Sequence, residues 1–384
     1  MHVVIVGGGF GGVRTARLLA RDARIRITLI SDESHFVHYD AVATLLSGQD
    51  ASRSMMSLGH IFAEFPNVTL VKDTIITIDP ERKVVKGRHK YSYDELVIAI
   101  GSVANYGGIR GTGGHAYGIS NLDELDRFKN RIEEEVRADL LRDRNYIVVG
   151  AGATGVEVAG SLNQHLRSII RLHKVRNTAA TVILIEASPT ILPHFGSTAQ
   201  KKARARLNKS GIKVIVHERV DRLSNDDVMI DGNRVPTHSV LWTVGTTTHP
   251  FFIRNKAAFT FTDRGHIIVD NRLQGAPHIF IIGDSASNWS ANLATSAVSQ
   301  AAFMSRLLQA KAHKRRLPTY RPVKYPSFVT IDPTWSYIER FGIYIVGSFG
   351  AACKRLLDLQ LLAETIGWKN ARLLQSGKNH KHDN

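Results

Sequence analysis

The chain has 384 residues, 43% of them hydrophobic and 22% charged, with a formal net charge of +16. This length and balance give room for two or three domains with buried cores and exclude a disordered chain. A single cysteine, Cys353, rules out an intrachain disulfide and points to a reducing, cytosolic setting. No run of 18 apolar residues offers a membrane span.

The first predicted element is an apolar strand, His2–Val6, whose unbroken hydrophobic run suits a buried parallel sheet. It lacks the basic lead, long apolar stretch and cleavage site of a signal peptide, so none is expected. Gly7-Gly8-Gly9-Phe10-Gly11-Gly12 follows, then a helix over Val13–Ala20. Gly7 permits a tight turn, Gly9 lets backbone approach a pyrophosphate, and Gly12 allows close helix–strand packing. The helix N-terminus adds amide donors and the positive end of its dipole. The next strand, Ile25–Ile30, should end in an acid for ribose hydroxyls, but that position is Ser31. Asp32 or Glu33 takes the role, or a water replaces it, and Asp32 is the assigned residue. A later strand, Leu96–Gly101, ends in a small-residue turn.

The same order of elements recurs from Asn145. Strand Asn145–Val149 leads to Gly150-Ala151-Gly152-Ala153-Thr154-Gly155 and a helix beginning Val156-Glu157. Here the acid is present, because strand Thr181–Ile185 ends in Glu186. A carboxylate there accepts from both adenine-ribose hydroxyls and repels a 2′-phosphate, which favours NADH over NADPH. The following residues, Ala187-Ser188-Pro189, offer no arginine. Strand Val240–Gly245 closes this copy. Strands His266–Asp270 and His278–Ile282, then a helix over Ala294–Ala312, return to the first domain, so the second domain is inserted in it. Gly283-Asp284 follows the second of these strands, before a helical Ser285–Leu293. Asp284 either accepts from a polyol or caps that helix.

The linker Lys311–Pro326 carries three prolines and a basic cluster of Lys311, Lys314, Arg315, Arg316, Arg321 and Lys324. With Lys354, Arg355, Lys369 and Arg372 it concentrates the excess charge, which calls for nucleic acid, anionic lipid or an acidic protein, or else is a solvated surface. Strand-like Phe328–Asp332 and Ser336–Val346 precede one amphipathic helix, Ser348–Leu374. Its apolar stripe is Phe349, Ala352, Leu356, Leu357, Leu361 and Ile366, bordered by Lys354, Arg355, Lys369 and Arg372, with Trp368 suited to a headgroup zone. The stripe meets either an anionic membrane surface, or the first domain or a second subunit, the last giving a homodimer. The polar tail Gln375–Asn384 holds His380 and His382 without further ligands, so no metal site is expected.

The stretches Val4–Gly12, Tyr93–Ser102, Val148–Glu157 and Phe280–Asp284 resemble the two-dinucleotide-binding flavoproteins. Within these the chain is similar to the type II NADH dehydrogenases, single-subunit NADH:quinone oxidoreductases, over about residues 1 to 350. The resemblance implies FAD on the first turn, with Asp284 beside Gly283 bonding the ribityl chain. Ala99 and Gly101 would lie along the flavin nucleotide, with Ile75 at the adenine. NADH would sit on Gly150, Gly152, Gly155, Glu186 and Gly245, with Glu157 near the nicotinamide–flavin stack. Glu157 is otherwise a first-turn acid that favours the helix dipole. Gln300 holds one quinone-contacting position of the family, whereas Ser296 and Ala301 replace neighbouring glutamines. Val37-His38-Tyr39-Asp40 lacks an expected proline.

The expected fold is α/β. Residues 1–110 and 246–312 form an FAD domain, residues 111–245 an NADH domain, and residues 313–384 a C-terminal region for membrane association or dimerisation. The expected activity is hydride transfer from NADH to flavin and two electrons onward to a quinone, by a cytoplasmic protein peripheral on the inner face of the cell membrane, with no nucleic acid partner. Lone Cys353 cannot form the cysteine pair of disulfide or sulfide:quinone reductases. Other readings are an NADH-dependent reductase of a small electron carrier, an NADH oxidase, and a non-enzymatic NADH sensor.

Overall fold

A computed structural model describes residues 1–38, 41–119, 122–138, 145–175, 180–287 and 294–376. The predicted helix Ser285–Leu293, the segment Val37–Asp40 and the tail with His380 and His382 fall wholly or partly outside them.

Among the described residues, the first sheet runs in the order 274–276, 279–281, 95–98, 2–6, 26–31, 68–72. Its last five strands are parallel, and the short edge strand 274–276 is antiparallel. Val3, Val4 and Ile5 have no exposed surface, as a sheet covered on both faces requires. Helices Phe10–Leu19 and Ala294–Ala312 cover one face, and Phe251, Phe252 and Phe259 pack against the other. The second sheet runs 117–118, 240–242, 145–149, 181–186, 213–216, all parallel. From strands 2–6 and 145–149 outward the neighbours correspond. The outer place is taken by 279–281 in the first sheet and by 117–118 in the second. Each half carries a three-stranded antiparallel sheet ahead of its closing strand, 77–92 in the first and 220–236 in the second. The fold is thus α/β, with two Rossmann-like halves and the second within the sequence of the first. Strands 102–104 and 246–248 pair antiparallel where the chain passes between them.

Several local expectations change. His266–Asp270 is no strand, only a bridge at Ile267, because its backbone partners are the loops around Thr260 and Ser285. Ser336–Val346 is a hairpin, Trp335–Arg340 and Ile343–Gly347, turning at Phe341 and Gly342, both with positive φ. With Ser327–Asp332 these strands form a three-stranded sheet. The single helix Ser348–Leu374 is two, Ser348–Ile366 and Trp368–Gln375, broken at Gly367 with φ 92°. Its apolar stripe divides: Ile366 joins the first domain's core and Leu361 is buried, whereas Phe349, Ala352, Leu356 and Leu357 face outward. Lys354 does not border the stripe. It is buried, paired with Asp358 at 2.5 Å and set over the Phe328 ring. Lys311 also leaves the surface cluster to pair with buried Glu95 at 2.5 Å.

The C-terminal region touches both halves. Strand 327–332 lies on helix Ala153–Leu172, where a Cβ on Gly160 would overlap the Ile331 carbonyl. Asp332 accepts from Arg206 at 2.7 Å. Helix Ser348–Ile366 lies on helix Phe10–Leu19, with Arg14 paired to Glu364 and Arg17 donating to the Thr365 carbonyl at 2.9 Å.

Candidate active site

The two Gly-rich turns have the same construction. Gly7 and Gly150 have φ of 116° and 96°, a region L side chains rarely enter. A Cβ on Gly12 would overlap the Gly7 carbonyl oxygen, and one on Gly155 the Gly150 carbonyl oxygen. Gly9 and Gly152, by contrast, cap their helices without a side-chain bond and face open space. The structure therefore leaves helix-terminal amides uncovered where a pyrophosphate would lie, and packs the other glycines against backbone.

A cleft of about 630 Å³ opens over the first turn. It brings together Gly7, Gly9, Asp32, Ile75, Ala99, Gly101, Gly283 and Asp284, contributed by the C-terminal ends of neighbouring parallel strands. Ser102 Oγ donates to Asp284 at 3.4 Å and Ser285 Oγ to the Gly101 carbonyl at 2.5 Å, which ties two strand ends together. Gly12 lies behind the turn. Ser31 is buried at the strand end, and its Oγ accepts from the Glu33 amide at 3.2 Å. Asp73, in the same wall, was not anticipated. Burial opposes its ionised form, but the Arg88 amide and the Tyr91 hydroxyl outweigh that and hold its carboxyl below the usual range. His249, also unanticipated, lines the cleft as well.

In the second half, Glu186 accepts from the Ala151 amide at 2.7 Å and the Ser188 amide at 2.9 Å. A carboxylate has about four lone-pair sites, so two remain for hydroxyl donors. Gly245, with φ 58°, follows strand 240–242 as Gly101 follows 95–98. Glu157 lies one turn inside its helix rather than at the first residues, and accepts from the Thr330 amide at 3.0 Å. That bond fastens the helix to the C-terminal sheet.

Gln300 is fully buried behind the first cleft. Its Oε1 accepts from the Gly283 amide at 2.6 Å, which braces the turn before Asp284. It does not line a described cavity. A second cavity, about 260 Å³ and mainly apolar, lies between Thr295 and Val298, the linker Val323–Pro326, Phe328, and Leu357 and Leu361. Ala294 and Ala297, on the same helical turn as Thr295 and Val298, line the first cleft. The two cavities therefore flank one turn of helix. Long-range contacts build the second, and no local motif announces it. Among the described residues no cluster of His, Cys, Asp or Glu could hold a metal, and no helix is long and apolar enough to cross a membrane.

Residues 1–301 match the profile of the pyridine nucleotide-disulphide oxidoreductase family. A type II NADH:quinone oxidoreductase of Mycobacterium tuberculosis is 26% identical over 385 residues, covering 92% of this chain and 79% of its own. A probable NADH dehydrogenase of Dictyostelium discoideum is 28% identical over 310 residues, covering 74% and 67%. NDH2 from Plasmodium falciparum, solved in complex with NADH, superposes with a TM-score of 0.86 at 17% identity, over 99% of this chain and 98% of that one.

Proposed function

The chain belongs to the pyridine nucleotide-disulphide oxidoreductase family, and from that premise we propose that it is an FAD-dependent NADH dehydrogenase that delivers two electrons to a quinone. The observation that carries the quinone assignment is the shared helical turn. One side faces the cleft over the first Gly turn, and the other faces an apolar cavity whose wall includes exposed Val323 and Leu357. An apolar, surface-linked cavity suits a lipid-soluble acceptor better than a protein one. Thr295 Oγ1, buried with no hydrogen-bond partner among the described residues, can donate to a quinone carbonyl there. In steady-state NADH oxidation with a short-chain quinone, oxygen and a ferredoxin-like carrier compared side by side, quinone should give the highest rate. A higher rate with oxygen or the carrier would overturn the assignment.

Residues 1–110 with 246–312 form the FAD domain in this reading, residues 111–245 the NADH domain, and 313–384 the C-terminal region. The first cleft fits FAD: open helix amides at Gly9 for phosphate, Ile75 for adenine, and Asp284 for the ribityl hydroxyls. Bound there, FAD supplies the ring that takes hydride from NADH and returns electrons to the acceptor. The protein's part is alignment. Gly152 presents amides to the NADH pyrophosphate, Glu186 accepts from the ribose diol, and Glu157, held by Thr330, stands near the meeting of the two rings.

The Glu186 assignment has a direct test. Glu186→Ser with Ala187→Arg should lower kcat/KM for NADH and raise it for NADPH, reversing the preference, since the substitutions remove a repelling charge and add a phosphate partner. Equal use of both coenzymes by the wild type would contradict the assigned role.

We also assign the outward apolar residues to an anionic membrane surface, on the inner face of the cell membrane. Phe341, Ile343, Phe349 and Leu356 are each more than two-thirds exposed, and Trp368 is 56% exposed. Exposed Lys314, Arg315, Arg316, Arg321 and Lys324 supply charge, each adding roughly 1 kcal/mol near such a surface. The protein should co-sediment with anionic vesicles, less so at high salt. Replacing Phe341, Ile343, Phe349 and Leu356 by Ser should abolish this while FAD stays bound. Wild-type protein that ignores anionic vesicles at low salt and runs as a dimer would assign the patch to a second subunit instead.

A further inference from the structure

The first cleft has no carboxylate at the strand end where an acid would meet a ribose. Ser31 occupies that place, buried and engaged by the Glu33 amide. Asp73 is committed to the amides of Thr74, Arg88 and His89 and to the Tyr91 hydroxyl. Asp32 and Glu33 remain, both exposed in the cleft wall; His249 stands in the same wall, close enough to Asp32 to feel its charge, which singles out Asp32.

His249 is held by two features. It directly follows strand 246–248, which pairs with 102–104, and it caps the short helix Pro250–Arg254. The cap bond runs from the Phe251 N–H to His249 Nδ1, at 3.1 Å. A ring nitrogen that accepts carries no proton, so the proton of the neutral imidazole is on Nε2. Burial disfavours the charged ring. Asp32 opposes this and Arg254 adds to it, leaving the pKa below its ordinary value and the ring neutral at neutral pH. The helix cap therefore sets the tautomer, and Nε2–H is the ring's one donor.

We propose that His249 binds the cofactor. Its Nε2–H donates to a hydroxyl of the adenosine-side ribose of FAD, Asp32 accepts from the same diol, and the pair stands in for the missing strand-end acid. This rests on the reading of the first cleft as the FAD site. An aspartate or glutamate alone can only accept from the diol. A carboxylate and a fixed donor together bond one hydroxyl as donor and one as acceptor.

Two amide variants separate this role from plain helix capping. His249→Asn keeps an acceptor near the place of Nδ1 and leaves no N–H at the place of Nε2. His249→Gln keeps an N–H near the place of Nε2 and removes the cap. FAD affinity is read from flavin fluorescence released as purified holoenzyme is diluted. His249→Asn should bind FAD roughly tenfold more weakly, and His249→Gln within about twofold of wild type. The inference is overturned if His249→Asn holds FAD as tightly as wild type, or if His249→Gln is the weaker variant, which would leave His249 a helix cap only. Wild-type protein that contains no FAD would instead overturn the reading of the cleft.

Discussion

Replacing Gly155 by Val should leave a yellow protein that NADH reduces far more slowly. A Cβ at this position overlaps the Gly150 carbonyl oxygen and comes within 2.6 Å of Thr243 Oγ1. Neither can give way cheaply. The Gly150 amide is bound to the Ile185 carbonyl, and Thr243 Oγ1 donates to the carbonyls of Val149 and Gly150 at 2.7 and 2.9 Å. The helix must therefore lift from the strand, and the amides at Gly152 move with it. Misplacement by about 1 Å costs on the order of 100-fold in rate where alignment is the source of catalysis. Anaerobic stopped-flow reduction by NADH should slow by at least roughly that factor. Flavin content and reduction by dithionite should be those of the wild type. A variant reduced by NADH at the normal rate would show that the second turn is not the NADH seat.

The matching change in the first half should have the opposite signature. In Gly12→Val the side chain overlaps the Gly7 carbonyl oxygen, and Gly7 is itself pressed against the backbone of Ala99. Helix Phe10–Leu19 cannot retreat, because helix Ala294–Ala312 packs along its other side and Thr15 and Ser305 are buried between them. The purified variant should be colourless and should melt earlier, having lost a ligand that stabilises only the folded state. Absorbance at flavin wavelengths and a thermal scan with and without added FAD measure both effects. Stoichiometric FAD in this variant would move the cofactor away from the first turn.

The parts of the site legible in the sequence are those made within a few residues. Gly7, Gly9 and Gly12 act through local backbone geometry, and Glu186 ends its own strand, so spacing alone places them. The ribose partner of the first half was harder to place, because Ser31 breaks the pattern and His249 comes from the far side of the inserted half. The apolar cavity was invisible for the same reason: Thr295, Phe328 and Leu357 meet only through tertiary packing. Helical periodicity from Ser348 onward correctly marked apolar positions, but it could not tell Ile366, buried on the first half, from Leu356, left outside. Charge misled similarly at Lys311 and Lys354, whose long side chains reach inward to Glu95 and Asp358. Gln300 is a glutamine where one was expected, yet the Gly283 amide turns it to bracing a loop.

The C-terminal strand on helix Ala153–Leu172 and the C-terminal helix on helix Phe10–Leu19 also bear on how the chain is made. Synthesis runs from the N-terminus, and domains fold as units as they emerge. Both Gly turns are therefore made by residues that emerge before 327–366, and until then the halves meet through the linking strands 102–104 and 246–248 and through helix Ala41–Leu46, whose Leu45 and Leu46 lie in the core of the second half. The last segment then adds a tie to each half, when Arg14 meets Glu364 and Thr330 meets Glu157. A chain ended before residue 327 should therefore keep both turns and lose the clasp that joins helix Phe10–Leu19 to helix Ala153–Leu172 through the C-terminal region.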